Sequence, residues 1–402
     1  MAADSSEAAH QIVLVPGFFG FGRLGDLTYF NGVAAALERR FAARGVPVAV
    51  TEVTTLPTAS IRVRAARVLE TLARVAALGT GPIHVIGHST GGLDARLAIA
   101  PTASLPTDVE GFDYARVKTL VSVCCPHFGT PLATWFSGTF GKPVLRLLSL
   151  YWIWVLRRGR LPLSIALRLW YWVVRLRDPF RKHRSTFDEV YEKLLNNLTD
   201  ERRAELIAFL EAVSTDQSLL FQLTPAGCDL LNACTADPEL RYGSVVARSP
   251  GATFRRFLRS IRDLYPQIVY PIYSLLHALI ARGENQFVPP PAPPQRERLL
   301  SAYGALPEPG DNDGMVPTNS QVWGEVIHAV SGDHLDLVGQ FGFEDDSGFS
   351  GDWLPSYAGF DRAQFEELWT RVADFLIDSV NQPPTDNVGT ERTEQDVPAP
   401  PH

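Results

Sequence analysis

The chain has 402 residues, 46 % of them apolar and 20 % charged, with a formal net charge of −7. That length accommodates a large buried core, and 37 Lys+Arg against 44 Asp+Glu excludes the strongly basic surface that nucleic acids select. Four cysteines (Cys124, Cys125, Cys228, Cys234), none in a CxxC pair, exclude a disulfide scaffold and a zinc site and leave Cys228–Cys234 as a pair that could bridge.

In chain order, residues 1–10 read as a tail; MAADSSEAAH has no basic stretch followed by an apolar one, so no secretory signal is visible. The expectation is a cytoplasmic or peripherally membrane-associated protein, with secretion as the alternative. Gln11–Val15 (QIVLV), closed by Pro16-Gly17, reads as a buried strand ending in a turn. A helix over Asn31–Arg44 stops at Gly45, a strand follows at Val46–Val53, and a second helix runs over Ile61–Leu78 to Gly79. Pro82–Gly87 is a third strand, Gly91–Ala100 a helix before Pro101, and Val117–Val123 a fourth strand. This alternation predicts an α/β fold with a mostly parallel sheet covered on both faces. Residues 131–222 carry helical periodicity without a convincing strand and read as an inserted helical lid or cap within a single unit spanning 11–381. Sheet-like signals return weakly at Ile268–Pro271 and clearly at Val326–Val330. Pro289–Pro294 reads as a stiff polyproline-type loop, and the polar, Pro-rich residues 382–402 as a disordered tail.

The sharpest chemical signal is Gly87-His88-Ser89-Thr90-Gly91, a G-x-S-x-G motif between a strand and a helix. That context suits a serine nucleophile on a strained turn, its neighbours small enough to avoid clashes. Ser89 needs a base and the base an orienting acid, in the chain order Ser, Asp/Glu, His. Of nine histidines, His10 and His402 lie in tails, and His84 and His328 lie inside strands. His88 is local to the turn, His183 sits among arginines, and His277 reads as a packed helical histidine. His334, in a loop after the last strand, is the expected base. Asp313, in DNDGMVP 21 residues before it, is the expected acid, with Asp311 and Asp333 as competitors. The backbone N–H of Thr90, after the nucleophile, and of Phe18, in the turn after the first strand, are the expected oxyanion donors.

LVPGFFG at 14–20, TEVTTL at 51–56, HVIGHSTGG at 84–92, CPHFGTPLA at 125–133, DNDGMVP at 311–317 and HLDLVGQFG at 334–342 recur together in this order. In them the chain resembles the bacterial true lipases of the Pseudomonas and Burkholderia type, in the α/β-hydrolase superfamily. The resemblance implies Ser89 as nucleophile, Asp313 as acid, His334 as base, and Phe18 with Thr90 as oxyanion donors. Pro16-Gly17 stands where the family usually has His-Gly. Those lipases also hold calcium, using one aspartate two residues after the histidine and another upstream of the acid. Asp336 matches the first, but residues 286–309 contain no aspartate, leaving Glu297 as the nearby acid considered in its place. No cofactor is therefore expected, with Asp336 as the residual calcium candidate.

The net charge conceals an asymmetry. Residues 142–184 hold eleven Lys/Arg against one acid, about +10, leaving about −17 on the remainder. Five of the eight tryptophans fall in or just before this segment. Its longest uncharged apolar run, Leu147–Leu156, is ten residues, short of the roughly 20 needed to span a bilayer. It reads as a helical hairpin turning at Gly159–Pro162, with Arg168 and Arg175 on a narrow polar stripe and Trp152, Trp154, Trp170 and Trp172 as interface anchors. The expectation is a lid that docks on a membrane or lipid droplet; the competing reading is a core-packed helix pair. The expected activity is hydrolysis of lipid esters, with acyl transfer, polyester or small-ester cleavage, and a catalytically idle membrane-binding protein as alternatives.

Overall fold

A computed structural model describes residues 9–18, 23–24, 27–138, 216, 218–235, 239–251, 266–283, 288–342, 344–345, 348–349, 352, 354–380 and 382. Its centre is a six-stranded sheet. The strands are β1 (His10–Val15), β2 (Val48–Glu52), β3 (Ile83–His88), β4 (Val117–Val123), β5 (Arg241–Arg248) and β6 (Glu325–Ser331). They lie in the order β2-β1-β3-β4-β5-β6, and every pairing is parallel. The sheet carries helices on both faces, as the alternating pattern predicts.

Each central strand is buried on both sides. In β1, Ile12 and Leu14 join a layer with α1 (Val33–Ala43), while Val13 and Val15 join another with α2 (Ile61–Leu78) and α3 (Thr90–Ile99). Full burial of each such side chain contributes about 1.5–3 kcal/mol. Ser60 caps α2 by accepting from the Val63 N–H, which fixes where that helix begins. The C-terminal helix (Arg362–Ser379) starts in a capping box, Asp361 and Gln364 each accepting from the other's backbone, and packs Leu368, Trp369 and Val372 into the α1 layer.

One expectation is corrected, and one possibility that the sequence left open is closed. Residues 268–271 lie in a helix, Pro266–Ala281, and the strand between β4 and β6 is β5. A four-residue apolar run fits helix and strand equally, whereas β5 (RYGSVVAR) is disguised by its terminal arginines and by Gly243, where a side chain would strike Ile327 of β6. Cys228 and Cys234 are also unbridged. Six residues apart on one helix, Pro225–Cys234, they are separated by about 9 Å along its axis, beyond disulfide reach. Cys228 is buried, donating to the Pro126 and Gln222 carbonyls, and Cys234 is exposed. The polyproline-type stretch gives way at Pro293 to a helix, Pro293–Tyr303, with Pro at its first turn, where the missing N–H costs nothing.

Of region 131–222, the described parts include the helices Pro131–Ser137 and Ser218–Gln222. The segment expected to form a hairpin, with Trp152, Trp154, Arg168, Trp170, Trp172 and Arg175, lies outside the described residues, as does 383–402. Among the described residues no helix is long and apolar enough to cross a membrane.

Candidate active site

β1 has its successor β2 on one side and β3 on the other, so the winding direction of the sheet reverses between β1 and β3. In open α/β sheets such a reversal opens a crevice at the carboxyl ends of the strands. The turn Pro16–Phe18 leaves β1 at that point, and Ser89 leaves β3 beside it.

Ser89 sits at φ 54° and ψ −130°, a backbone conformation costing about 1–3 kcal/mol in a non-glycine residue. It is held there by its N–H donating to Val123 O at 2.8 Å and by Gly92 N–H donating to Ser89 O at 3.1 Å. A side chain at Gly91 would strike the carbonyl oxygens of Val15 and Pro16, so glycine lets α3 close onto β1. A Cβ at Gly17 would lie 2.6 Å from the Ser89 Cβ, so glycine lets the Pro16–Phe18 turn pack directly against Ser89.

That turn is clamped by Arg64, which no sequence motif identified. Arg64 is fully buried and pairs with fully buried Asp94 at 2.7 Å. Its Nη2 donates to Pro16 O at 3.1 Å and Gly17 O at 2.9 Å, and its Nη1 to Leu56 O. In a trans peptide the carbonyl and the next N–H point oppositely. With Gly17 O drawn toward Arg64, the Phe18 N–H points away from it. Burial pushes the Asp94 carboxyl up to about 6 against the pull of Arg64, and Asp94 Oδ1 has no protein hydrogen-bond partner among the described residues. The available sequence signal was a charged residue at a buried position of α2, between Ile61 and Ala65.

The structure separates the three competing aspartates. Asp313 Oδ2 lies 2.7 Å from His334 Nδ1, and both side chains are buried. Met315 and Val316 N–H groups donate to Asp313 Oδ1 at 2.9 and 2.7 Å, and Gln321 Nε2 donates to Oδ2 at 3.1 Å. Burial, followed by the nearby Asp313 charge, pushes the buried Cys124 thiol well up. Asp311 instead pairs with Arg248 at 3.2 Å. Asp333 caps its own loop, accepting from the N–H groups of Leu335 and Asp336. Gln321 was missed because nothing local distinguishes it; it is defined by its fully buried position. His334 reaches the serine turn through His88, whose ring lies 4.7 Å from its own, centroid to centroid.

Phe18, Ser89 and Thr90 line one cavity of about 50 Å³. Its remaining wall is almost wholly apolar, including Leu132, Phe136, Leu220, Leu276 and Met315. Such a space suits an acyl chain with its reactive carbonyl at Ser89.

A second carboxylate group stands behind His334. Asp336 gathers with Asp333 and Asp352, their ligand oxygens within 4.8 Å of one another. The partner carboxylate thus comes from downstream of His334 rather than from upstream of Asp313, where the resemblance places it. Burial pushes Asp333 up to about 6, and burial with the Asp333 charge holds Asp336 and Asp352 well above the usual carboxylate range. Hard oxygen donors grouped in this way fit a divalent cation such as calcium, which would tie the His334 loop to the segment around Asp352.

Residues 5–157 match a family model described as "Putative serine esterase (DUF676)". A triacylglycerol lipase of Pseudomonas fragi is 29% identical over 155 residues, 36% of this chain and 46% of the relative. The match therefore spans less than half of that relative's length. Among solved structures, Staphylococcus hyicus lipase superposes with a TM-score of 0.52 at 16% identity, covering 92% of this chain and 96% of that one. Lipase 1 from Pelosinus fermentans gives 0.46 at 17% identity, over 91% and 98%. The all-parallel sheet, its helical layers and the S. hyicus superposition identify the fold as that of an α/β-hydrolase.

Proposed function

We propose that the protein is a serine carboxylic-ester hydrolase acting on lipid esters, with triacylglycerols as the leading substrate class. The observation that carries this reading is the buried 2.7 Å Asp313–His334 contact beside a strained Ser89 that opens on an apolar cavity. With its Nδ1–H given to Asp313, His334 keeps a lone pair on Nε2 to take the Ser89 Oγ proton. Oγ attacks the ester carbonyl, and the oxyanion is held by the Phe18 and Thr90 N–H groups. His334 then protonates the departing alcohol, and water activated by the same nitrogen releases the acid from the acyl-enzyme. The order of the six motifs supports assignment to the Pseudomonas/Burkholderia type, and the P. fragi relative supports triacylglycerol as substrate.

A p-nitrophenyl ester chain-length series on the wild type and Ser89→Ala tests this. An optimum at about ten carbons or more is expected for a lipid ester whose acyl chain starts in the apolar cavity and runs on beyond it, with no turnover by Ser89→Ala. Hydrolysis surviving that substitution, or absence of labelling by a fluorophosphonate, would refute the mechanism. Added alcohol with product analysis separates hydrolysis from acyl transfer. The basic, Trp-rich segment supports docking on a membrane or lipid droplet. Replacing Trp152, Trp154, Trp170 and Trp172 by alanine is expected to abolish liposome sedimentation; unchanged sedimentation would sink that part of the reading.

A further inference from the structure

The two arms of the site, the turn after β1 and the loop after β6, are joined by a chain of hydrogen bonds through Tyr29 and His88. The Gly17 N–H donates to Tyr29 Oη at 3.0 Å. Tyr29 Oη lies 2.6 Å from His88 Nδ1, and His88 Nε2 lies 2.9 Å from the carbonyl oxygen of His334. The direction of each bond follows by elimination. A carbonyl oxygen only accepts, so His88 Nε2 carries the proton. A neutral His88 then has a bare Nδ1, which accepts a hydrogen bond from the Tyr29 hydroxyl, while the Tyr29 oxygen accepts from the Gly17 N–H. Burial, and after it the neighbouring His334 ring, keeps His88 neutral by pushing its pKa well below the usual imidazole value.

This chain gives the base a backbone anchor in addition to its contacts with Asp313. The His334 N–H donates to Asp313 O at 3.0 Å, and the His334 carbonyl accepts from His88, so both polar groups of its backbone are fixed. At the other end, the Gly17 N–H is fixed by Tyr29 and the Gly17 carbonyl by Arg64. A Cβ at Gly17 would approach Tyr29 Oη to 2.8 Å, so glycine is needed for the phenol to sit there.

The geometry points to Tyr29 and His88 as a positioning pair that sets the oxyanion turn and the catalytic histidine relative to each other. This inference rests on the serine-hydrolase reading above. Neither side chain reacts. Their effect is that moving one arm pulls the other, so the proton acceptor and the oxyanion donors stay in register about the ester carbonyl. In His88 the elbow motif thus supplies a strut as well as room for the nucleophile.

The test uses the full-length protein, with active sites counted by end-point fluorophosphonate labelling and Ser89→Ala as a control. Tyr29→Phe removes one oxygen and keeps the ring; His88→Leu removes both ring nitrogens; His88→Gln returns an N–H donor to the His334 carbonyl. Tyr29→Phe and His88→Leu are expected to lower kcat per labelled site by about 10- to 100-fold, with KM within about threefold, because displacement of reacting groups by a fraction of an ångström acts on the transition state. Affinity for an alkyl boronic acid, which forms a tetrahedral adduct, should fall in parallel with kcat/KM. His88→Gln should recover part of the loss. The double variant should lose little more than the worse single, as one interrupted chain requires. Full kcat per labelled site, multiplicative losses in the double variant, or failure of both Tyr29→Phe and His88→Gln to fold would each overturn the pair's role. Turnover by Ser89→Ala would instead overturn the underlying mechanism.

Discussion

Replacing Arg64 by methionine should separate two roles of one guanidinium. Methionine keeps the apolar stem but removes the hydrogen bonds to Pro16 O, Gly17 O and Leu56 O and the charge opposite Asp94. Asp94 would be left fully buried with no counter-charge, and breaking a buried pair from one side costs about 3–5 kcal/mol. At about 2–4 °C per kcal/mol, Tm should fall by about 6–20 °C. Asp94 already titrates near 6. Without Arg64 it rises further, so the deficit should narrow as pH falls and the carboxyl takes up a proton. Catalysis should suffer separately, because the freed Gly17 carbonyl no longer aims the Phe18 N–H; loss of one oxyanion donor costs about 10²–10³ in kcat. The decisive variant is Arg64→Met/Asp94→Leu, which removes both charges. It should recover most of the Tm and none of the kcat, measured by thermal melting and by p-nitrophenyl ester kinetics per labelled site. If the double variant regains activity along with stability, the clamp on the oxyanion turn is refuted.

Three further outcomes follow from the site and the core. His84 is buried between His10 and Thr119, and burial, then the His10 and Lys118 charges, hold it down to about 3. Its folded pKa lies below its unfolded value near 6.5, so the unfolded chain binds more protons and stability is lost as pH falls from about 6.5 toward 3. His84→Gln should flatten that slope in urea melts at stepped pH, and an unchanged slope would refute the assignment. Leu276→Trp, which fills the cavity, should shift the acyl-chain optimum to shorter esters, at about 10- to 200-fold per excluded methylene; an unchanged optimum would place the acyl chain elsewhere. Millimolar calcium should raise Tm, and EDTA reverse it, through Asp333, Asp336 and Asp352. A calcium shift retained in Asp352→Asn would remove that carboxylate from the donor set.

Much of the fold was legible because its signals are local. Ile61–Leu78 and Val117–Val123 appear at the predicted boundaries, since an apolar helical stripe ending at glycine and a short β-branched run each declare themselves in one window. β5 did not, because Gly243 is justified by Ile327 across the sheet and its flanking arginines by partners in other segments, Gln382 and Glu325 for Arg241 and Asp311 for Arg248. Likewise His88 could be read from its own window only as a turn residue, since Tyr29 lies 59 residues away and His334 a further 246 in the opposite direction.

By itself the sequence determined the chemistry on offer: a serine on a strand-to-helix elbow, a downstream Asp–Gly turn and a later loop histidine. Each of these is a short-range matter of turn geometry and residue type. Tertiary structure decided which groups meet. It selected Asp313 over Asp311 and Asp333, because only Asp313 Oδ2 comes within hydrogen-bond distance of the His334 ring. It also brought Arg64 to the carbonyls of the β1 turn and Asp352 to Asp336. Hydrogen bonds and ion pairs act over about 3 Å, so their partners are set by where the sheet and its loops bring the chain together, at separations along the sequence that local pattern does not encode.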